Sequence, residues 1–283
     1  MHSTPSLSLE ELALFNELFA SHFGLFFPEH KREILESRLL PRLRANHLHK
    51  FLDYYLLLQY DYDRELDALT RAITNNESYF FRETGQFLCL QGAGLEELKR
   101  GARGGRLHLL SAGCSSGEEP YTLNIYLREG GLESGSVGDA RQQQHRIDAI
   151  DLDTERLERA HRGLYRRSSL RALDSWQKEK YFIEHGPESY ELKERYRQGV
   201  TFKPGNILKL EKAVTGPYDV VFCRNVLIYF SEPALKTVIE NFAQIVRPGG
   251  LLFLGHSESI IGLTQSFQAE RLGTCIAYRR KDA

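Results

Sequence analysis

Cysteine is scarce in this chain of 283 residues: there are 4, at Cys89, Cys114, Cys223 and Cys275, with no C-x-x-C pair. That spacing argues against a zinc site and against a disulfide framework, and it fits a reducing cytoplasm. Neither sign of charge dominates. The formal net charge is -1, so overall charge points to neither nucleic acid nor a membrane, and any electrostatic partner site must be a local patch. Apolar runs long enough for a bilayer, about 20 residues, are missing. The opening MHSTPSLSLEEL has neither a basic start nor an apolar centre, so no signal peptide is expected. Glycine-rich phosphate fingerprints are also missing. With no G-x-G-x-x-G and no G-x-x-x-x-G-K-[ST], a nucleoside triphosphate is not indicated.

What is present divides the chain in two. Residues 7–103 are mostly helical in pattern. Ser8 and Glu11 form a capping box, followed by Leu9, Leu12, Phe15, Leu18 and Phe19 at helical spacing. A second amphipathic segment, from about His30 to Leu48, sets Ile34, Leu35, Leu39 and Leu43 against a basic face that includes Arg38, Arg42 and Arg44. Such a face is usually just solvated, but one sign prevails here, so an acidic partner stays open. Phe51–Tyr60 and Glu65–Thr74 read as further helices. In ITNNESYFFRETGQF the paired Asn75 and Asn76 favour a turn, and Phe80 and Phe81 anchor it. The loop is either simply pinned by aromatic packing or carries Asn76, Ser78 and Arg82 into a cleft. RGARGGR at 100–106 reads as a linker.

From Leu107 strands and helices alternate. LHLLSAGCSSGEEP is an apolar strand, a loop of small residues and an acidic helix start. Small residues let backbone approach a ligand, and a helix start offers free N–H groups. Taken alone, the stretch is equally an ordinary strand–loop–helix turn. Ile147–Ile150 is a second strand ending at Asp151, where doubly wound folds hold ribose hydroxyls; Asp153 reads as a helix cap. A small polar hairpin is expected at 183–199. Val200–Phe202 leads to Asn206 and Ile207, and YDVVFC leads to Arg224 and Asn225. Pro248-Gly249-Gly250 stops a helix before the strand Leu251–Leu254, and a hairpin around Gly273 closes the sheet. The expected fold is α/β, a mostly parallel Rossmann-like sheet with a C-terminal antiparallel hairpin. That is the pattern of a class I methyltransferase rather than of an NAD enzyme, preceded by a small all-helical domain. The expected boundaries are 1–88 for the helical domain, 89–105 for a linker, and 106–283 for the α/β domain with its insertion near 183–199.

The strings TNNESYFFRE, SAGCSSGEEPYT, DLDTERLERAHRGLYR, FCRNVLIYF and LFLGHSES, in this order, resemble the CheR family of chemoreceptor glutamate methyltransferases. The resemblance runs from about Leu12 to Tyr278. It implies S-adenosylmethionine as cofactor, S-adenosylhomocysteine as product, no metal, and glutamate side chains on cytoplasmic receptor helices as substrate. Carried over residue by residue, Asn76, Ser78 and Arg82 would contact the cofactor or its reactive end. Glu119 would hold its amino group, with Glu118 next in line, and Asp151 its ribose. Asn206 and Ile207 would flank the adenine, Cys223, Arg224 and Asn225 would line the pocket, and Arg82 with Tyr229 would be catalytic. Ser78 stands where family members have Thr, which keeps the hydroxyl. Arg38, Arg42 and Arg44 would dock the acidic receptor helices. A monomer is expected that neither binds nucleic acid nor inserts into a membrane.

Rival readings fare worse. GHSES invites comparison with a G-x-S-x-G nucleophile elbow, but Ser259 replaces the last Gly and no His follows His256. Cys223 in an apolar strand is usually just buried. The remaining alternative is a catalytically silent S-adenosylmethionine-binding sensor or adaptor.

Overall fold

The computed structural model describes residues 5–74, 77–90, 93–132 and 145–282. Two compact units form. One comprises residues up to 74 together with Ile228–Leu235; the other holds 77–227 and the residues from Lys236 on.

In the helical unit, α1 (Leu9–Phe23), α2 (Arg32–Ala45), α3 (Phe51–Tyr60) and α4 (Tyr62–Ile73) pack around Phe15, Phe19, Leu35, Leu39, Phe51, Tyr54 and Leu69. Ser8 closes the expected capping box with Glu11, and Gly24 ends α1 at φ 74. A Cβ on Gly24 would meet the Phe230 ring at 2.6 Å, so the turn needs glycine for both conformation and space. Residues 24–26 pair with 229–231 through Phe26 N to Tyr229 O at 2.9 Å and Ser231 N to Gly24 O at 3.0 Å.

The basic face of α2 differs from expectation. Leu35, Leu39 and Leu43 are buried, whereas Ile34 is exposed. Arg42 turns inward and donates to both carboxylate oxygens of Glu65, at 2.7 and 2.8 Å. Asn46 and Tyr54 complete the shell around Glu65. Burial opposes the Glu65 charge, but the bonds from Arg42, Asn46 and Tyr54 outweigh it and hold its carboxyl below the usual range. Arg38 donates to the carbonyl of Ile73 at 2.8 Å, and Arg44 is exposed. Arg42 is thus a structural ion-pair partner, and of the three arginines Arg44 retains an exposed side chain. Arg42→Glu is expected to cost the helical unit about 3 kcal/mol by leaving Glu65 buried beside a like charge. Arg44→Glu should stay within about 0.5 kcal/mol of the parent. Urea unfolding checks both values.

The α/β unit opens with α5 (Gly85–Leu88) and α6 (Ala93–Gly101), so a helix occupies part of the stretch expected to be a linker. There follow β1 (Leu107–Ala112), α7 (Glu118–Leu127), β2 (His145–Asp151), α8 (Thr154–Arg162), β3 (Leu164–Arg166), α9 (Ser175–Tyr181), β4 (Phe182–Glu184), β5 (Ser189–Leu192), α10 (Glu194–Arg197), β6 (Val200–Pro204), β7 (Tyr218–Cys223), α11 (Glu232–Ile245), β8 (Val246–Leu254), β9 (Phe267–Leu272) and β10 (Cys275–Arg280). The main sheet runs β6-β2-β1-β7-β8-β10-β9, parallel except where β10 pairs with β8 and β9. Order reverses at β1, so the C-terminal ends of β1, β2 and β7 open on one crevice, the place where such sheets bind ligands. Leu107, Leu109, Val220, Phe222, Leu251 and Phe253 pack one hydrophobic layer.

The insertion is larger than the expected hairpin. β3, β5 and β4 make a separate three-stranded antiparallel sheet that begins at Leu164, while 194–197 is helical. The mixed pattern of 165–182 hid β3, because a strand of three residues is too short to display alternation. Of the cysteines, Cys89 and Cys275, 186 residues apart in sequence, come side by side, while Cys114 and Cys223 are free and buried.

Candidate functional site

The crevice is assembled from four loops of the α/β unit. The loop after β1 folds over the end of β2: Gly113 N and Cys114 N donate to the carbonyl of Ile150 at 2.8 and 3.0 Å. Ser115 N then donates to Asp151 Oδ2 at 2.7 Å. Gly113 has φ 79, and a Cβ there would lie 2.5 Å from Val226 Cγ2, so only glycine lets the backbone pass this close. Ser115 has φ 50, an uncommon conformation for a residue with a side chain.

Two acidic residues follow and have different fates. Glu118 is 1% exposed, its carboxylate locked by the hydroxyls of Ser116 and Ser169. The Glu119 side chain is 16% exposed and accepts from Ser111 Oγ at 2.8 Å. Availability therefore favours Glu119 over Glu118 as a ligand contact. Burial raises the Glu119 carboxyl above its ordinary value, and Arg224 and Ser111 offset this only in part. At the tip of β2, Asp151 also accepts from Asp153 N at 2.9 Å. Burial raises its carboxyl too, against the two backbone donors. Asp153 is the cap of α8, as its position suggested.

The FFRE loop is pinned by aromatics and by hydrogen bonds alike. Phe80 meets Tyr165 and Phe182 edge-on, and Phe81 stacks with Tyr181. Phe80 N bonds to Ser169 O at 2.9 Å and Phe81 N to Thr122 Oγ1 at 3.1 Å. Phe81 and Glu83 both have positive φ, 61 and 54. This backbone turns Arg82 and Glu83 toward the β7 end. Arg82 donates to the Glu77 carbonyl at 3.0 Å but lies 3.9 Å from Glu83, so its guanidinium forms no tight ion pair there. Ser78 is half-buried in the same loop. Asn76 lies outside the described residues.

Arg224 has a different role from the one its position implied. Its side chain is 2% exposed and ties three elements together. Nη2 donates to Glu83 Oε2 and to the Arg82 carbonyl, both at 2.9 Å, and Nη1 reaches Glu119 Oε2 at 3.3 Å. Arg224 therefore positions the contact residues. Burial works against the Glu83 charge, but Arg224 and His256 hold its carboxyl below the usual range. Cys223 is fully buried, and burial pushes its thiol well above the usual value, so it serves as wall and not as nucleophile. Asn206 uses its side-chain oxygen to accept from Leu208 N at 2.9 Å, and Ile207 is buried beneath it. Gly205 N bonds to Asp151 O at 2.9 Å, which sets Asn206 near that carboxylate.

Glu258, inside GHSES, escaped the sequence reading. Its carboxylate accepts three backbone donors: Asn225 N at 2.9 Å, Leu227 N at 2.7 Å and Gly255 N at 2.6 Å. It thereby ties the ends of β7 and β8 together and holds Asn225 at φ 59. The only signal was an acidic residue just beyond a strand end, a place where carboxylates catch free N–H groups. Tyr229 belongs to the helical unit, with Lys31 Nζ 5.6 Å from its ring centre.

The crevice suits S-adenosylmethionine. The carboxylates of Glu119 and Asp151 could meet a cation and hydroxyl groups there, and Ser115 Oγ is buried without a hydrogen-bond partner among the described residues. Sheet order and site together define a class I S-adenosylmethionine-dependent methyltransferase fold.

Family comparison narrows this further. Residues 76–276 match the model of the CheR methyltransferase S-adenosylmethionine-binding domain, and 10–74 match the CheR all-alpha domain. The chain belongs to the CheR methyltransferase family. It is 37% identical over 257 residues to a chemotaxis protein methyltransferase of Klebsiella aerogenes, covering 89% of this chain and 84% of that protein. A chemotaxis protein methyltransferase 2 of Vibrio cholerae is 35% identical, with 93% and 90% covered. The probable biofilm formation methyltransferase WspC of Pseudomonas aeruginosa is 32% identical over 94% of this chain and 61% of its own length. No described helix is long and apolar enough to cross a membrane.

Proposed function

We propose that the protein methylates glutamate side chains on the cytoplasmic helices of methyl-accepting chemoreceptors, acting in the cytoplasm as a monomer. The observation that carries this reading is the placement of two carboxylates around the loop after β1 in a chain of this family: Glu119, in the first turn of α7, accepts from Ser111 Oγ, and Asp151, at the end of β2, accepts from Ser115 N. Glu119 would hold the cofactor's ammonium and Asp151 its ribose hydroxyls. Asn206 and Ile207 would flank the adenine, Ser78 and Asn76 would bind near the methionine end, and Cys223 and Asn225 would form the wall. The cofactor supplies an electrophilic methyl group when bound.

The protein's own task is modest. A substrate glutamate is already ionised near neutral pH, so no general base is required. Arg82, free of a tight partner, would orient that carboxylate without neutralising it; a stronger clamp would stabilise the ground state. Alignment and exclusion of water are then the main catalytic terms, worth up to about 7–11 kcal/mol for ideal geometry. Arg44 replaces Arg42 as the best-placed docking residue on α2. The test is tritiated S-adenosylmethionine with a receptor cytoplasmic fragment. Base-labile release of labelled methanol is expected. Cofactor binding without release would favour the silent adaptor.

A pH dependence follows for the cofactor. Because burial raises the Glu119 carboxyl, the folded protein holds this proton to higher pH than the unfolded chain does. Ionising it therefore costs stability as pH rises through that window, and a bound ammonium returns that cost. Affinity for S-adenosylhomocysteine should tighten as pH rises above the ordinary carboxylate range and Glu119 and Asp151 lose their protons. Glu119→Gln should bind roughly ten-fold or more weakly at the upper end and show a flatter profile, the loss of one charge-assisted bond. Calorimetry at several pH values decides this; a flat parent profile would place the ammonium elsewhere.

A further inference from the structure

A second cleft of about 690 Å³ opens in the α/β unit between α8 and the three-stranded sheet, and it borders the first site through Ser78 and Ser116, which are among its lining. In a chain of net charge -1 it is lined by five arginines: Arg156, Arg159 and Arg162 along one side of α8, Arg166 at the end of β3, and Arg171 beyond it. The opposite side of α8 is buried through Leu157 and Ala160, which fixes the arginine row in place. One lining carboxylate, Glu188, is exposed, while others nearby are engaged. Glu155 pairs with Arg159 and Glu77 with Arg171, and Glu118 faces Ser116 and Ser169. Among the described residues no salt bridge reaches Arg156, Arg162 or Arg166.

We propose that this cleft binds a phosphate-bearing ligand of nucleotide size. Unpaired guanidinium forks match phosphate oxygens two at a time, and the lining serines Ser168 and Ser189 add hydroxyl donors. The volume lies in the range of small-molecule sites and far exceeds a single phosphate ion. Only Leu164 and Tyr165 bring apolar side chains to the lining, and Tyr165 spends its hydroxyl on the Ser116 carbonyl at 2.8 Å. A peptide partner would need apolar anchors that the cleft barely offers. The compact polyanion is the better fit.

The test is calorimetry on the full chain saturated with S-adenosylhomocysteine, which fills the adenosine pocket, titrated with sodium tripolyphosphate or with adenosine triphosphate. Saturable binding is expected for at least one. Equal affinities would assign recognition to the phosphate chain, and tighter nucleotide binding would add the nucleoside. The double variant Arg162→Gln/Arg166→Gln should bind at least ten-fold more weakly while its S-adenosylhomocysteine affinity stays unchanged. Absence of saturable binding, an undiminished affinity in the double variant, loss of binding on saturation with S-adenosylhomocysteine, or tighter binding of a polyglutamate peptide would each overturn the proposal. Failure of S-adenosylhomocysteine itself to bind would be a separate result, counting against the function proposed above.

Discussion

Arg224→Met lowers the stability of the α/β unit by about 3–5 kcal/mol and abolishes cofactor binding: this is the largest effect expected of any single change in the site. The arginine is almost fully buried, and its guanidinium stands between the Glu83 and Glu119 carboxylates while also bonding the Arg82 carbonyl. Methionine fills the volume but removes the buried cation between the two acidic groups, leaving only the exposed His256 and the more distant Arg82 beside Glu83. Both would then favour protonation, and Glu119 would lose the charge needed to meet an ammonium. Arg224→Lys keeps one positive charge but cannot fork to three acceptors, so an intermediate loss is expected. Urea unfolding and S-adenosylhomocysteine binding report the two effects separately. A methionine variant within about 1 kcal/mol of the parent would mean that the cluster is solvated and unimportant.

Glu258→Ala is the second large effect. Three backbone N–H groups, of Asn225, Leu227 and Gly255, would lose their acceptor. At about 1–3 kcal/mol for each unsatisfied buried donor, with water repairing part of the loss, a cost of about 2–4 kcal/mol is expected. Asn225 would also be released from its left-handed conformation, which the clamp now sustains. Methyl transfer should fall further than stability alone explains, because the released loop carries Asn225, proposed above as part of the cofactor pocket's wall. Glu258→Gln keeps one acceptor oxygen and should recover part of the activity. Steady-state kinetics at a temperature where all variants remain folded would expose the difference; equal kcat in parent and alanine variant would reduce Glu258 to a purely structural role.

The fold was largely legible because its signals are local. The capping box of Ser8 and the apolar run YDVVFC each fix an element within a few residues, whereas Pro248-Gly249-Gly250, expected to separate a helix from a strand, lies inside β8, which begins at Val246 directly after α11. Strand tips could be found the same way, and Asp151 stands at one. Partners across the fold could not. Glu65 lies 23 residues from Arg42, and Glu83 and Glu119 lie 141 and 105 from Arg224, distances at which spacing carries no information. Arg42 and Arg224 therefore read as surface or pocket residues when both are interior tethers. The same holds for Cys89 with Cys275 and for the short strand β3, whose identity rests on pairing with β5.

The pairing of 24–26 with 229–231 bears on how the chain matures at the ribosome. The first four helices emerge early, but the segment that seats against Gly24 is synthesised about 150 residues later. At roughly 5–20 residues per second that is a wait on the order of ten to thirty seconds. A nascent chain halted near residue 75 would present α1 without Phe230 over its terminal glycine, and it would be open to proteases and chaperones until the rest arrived.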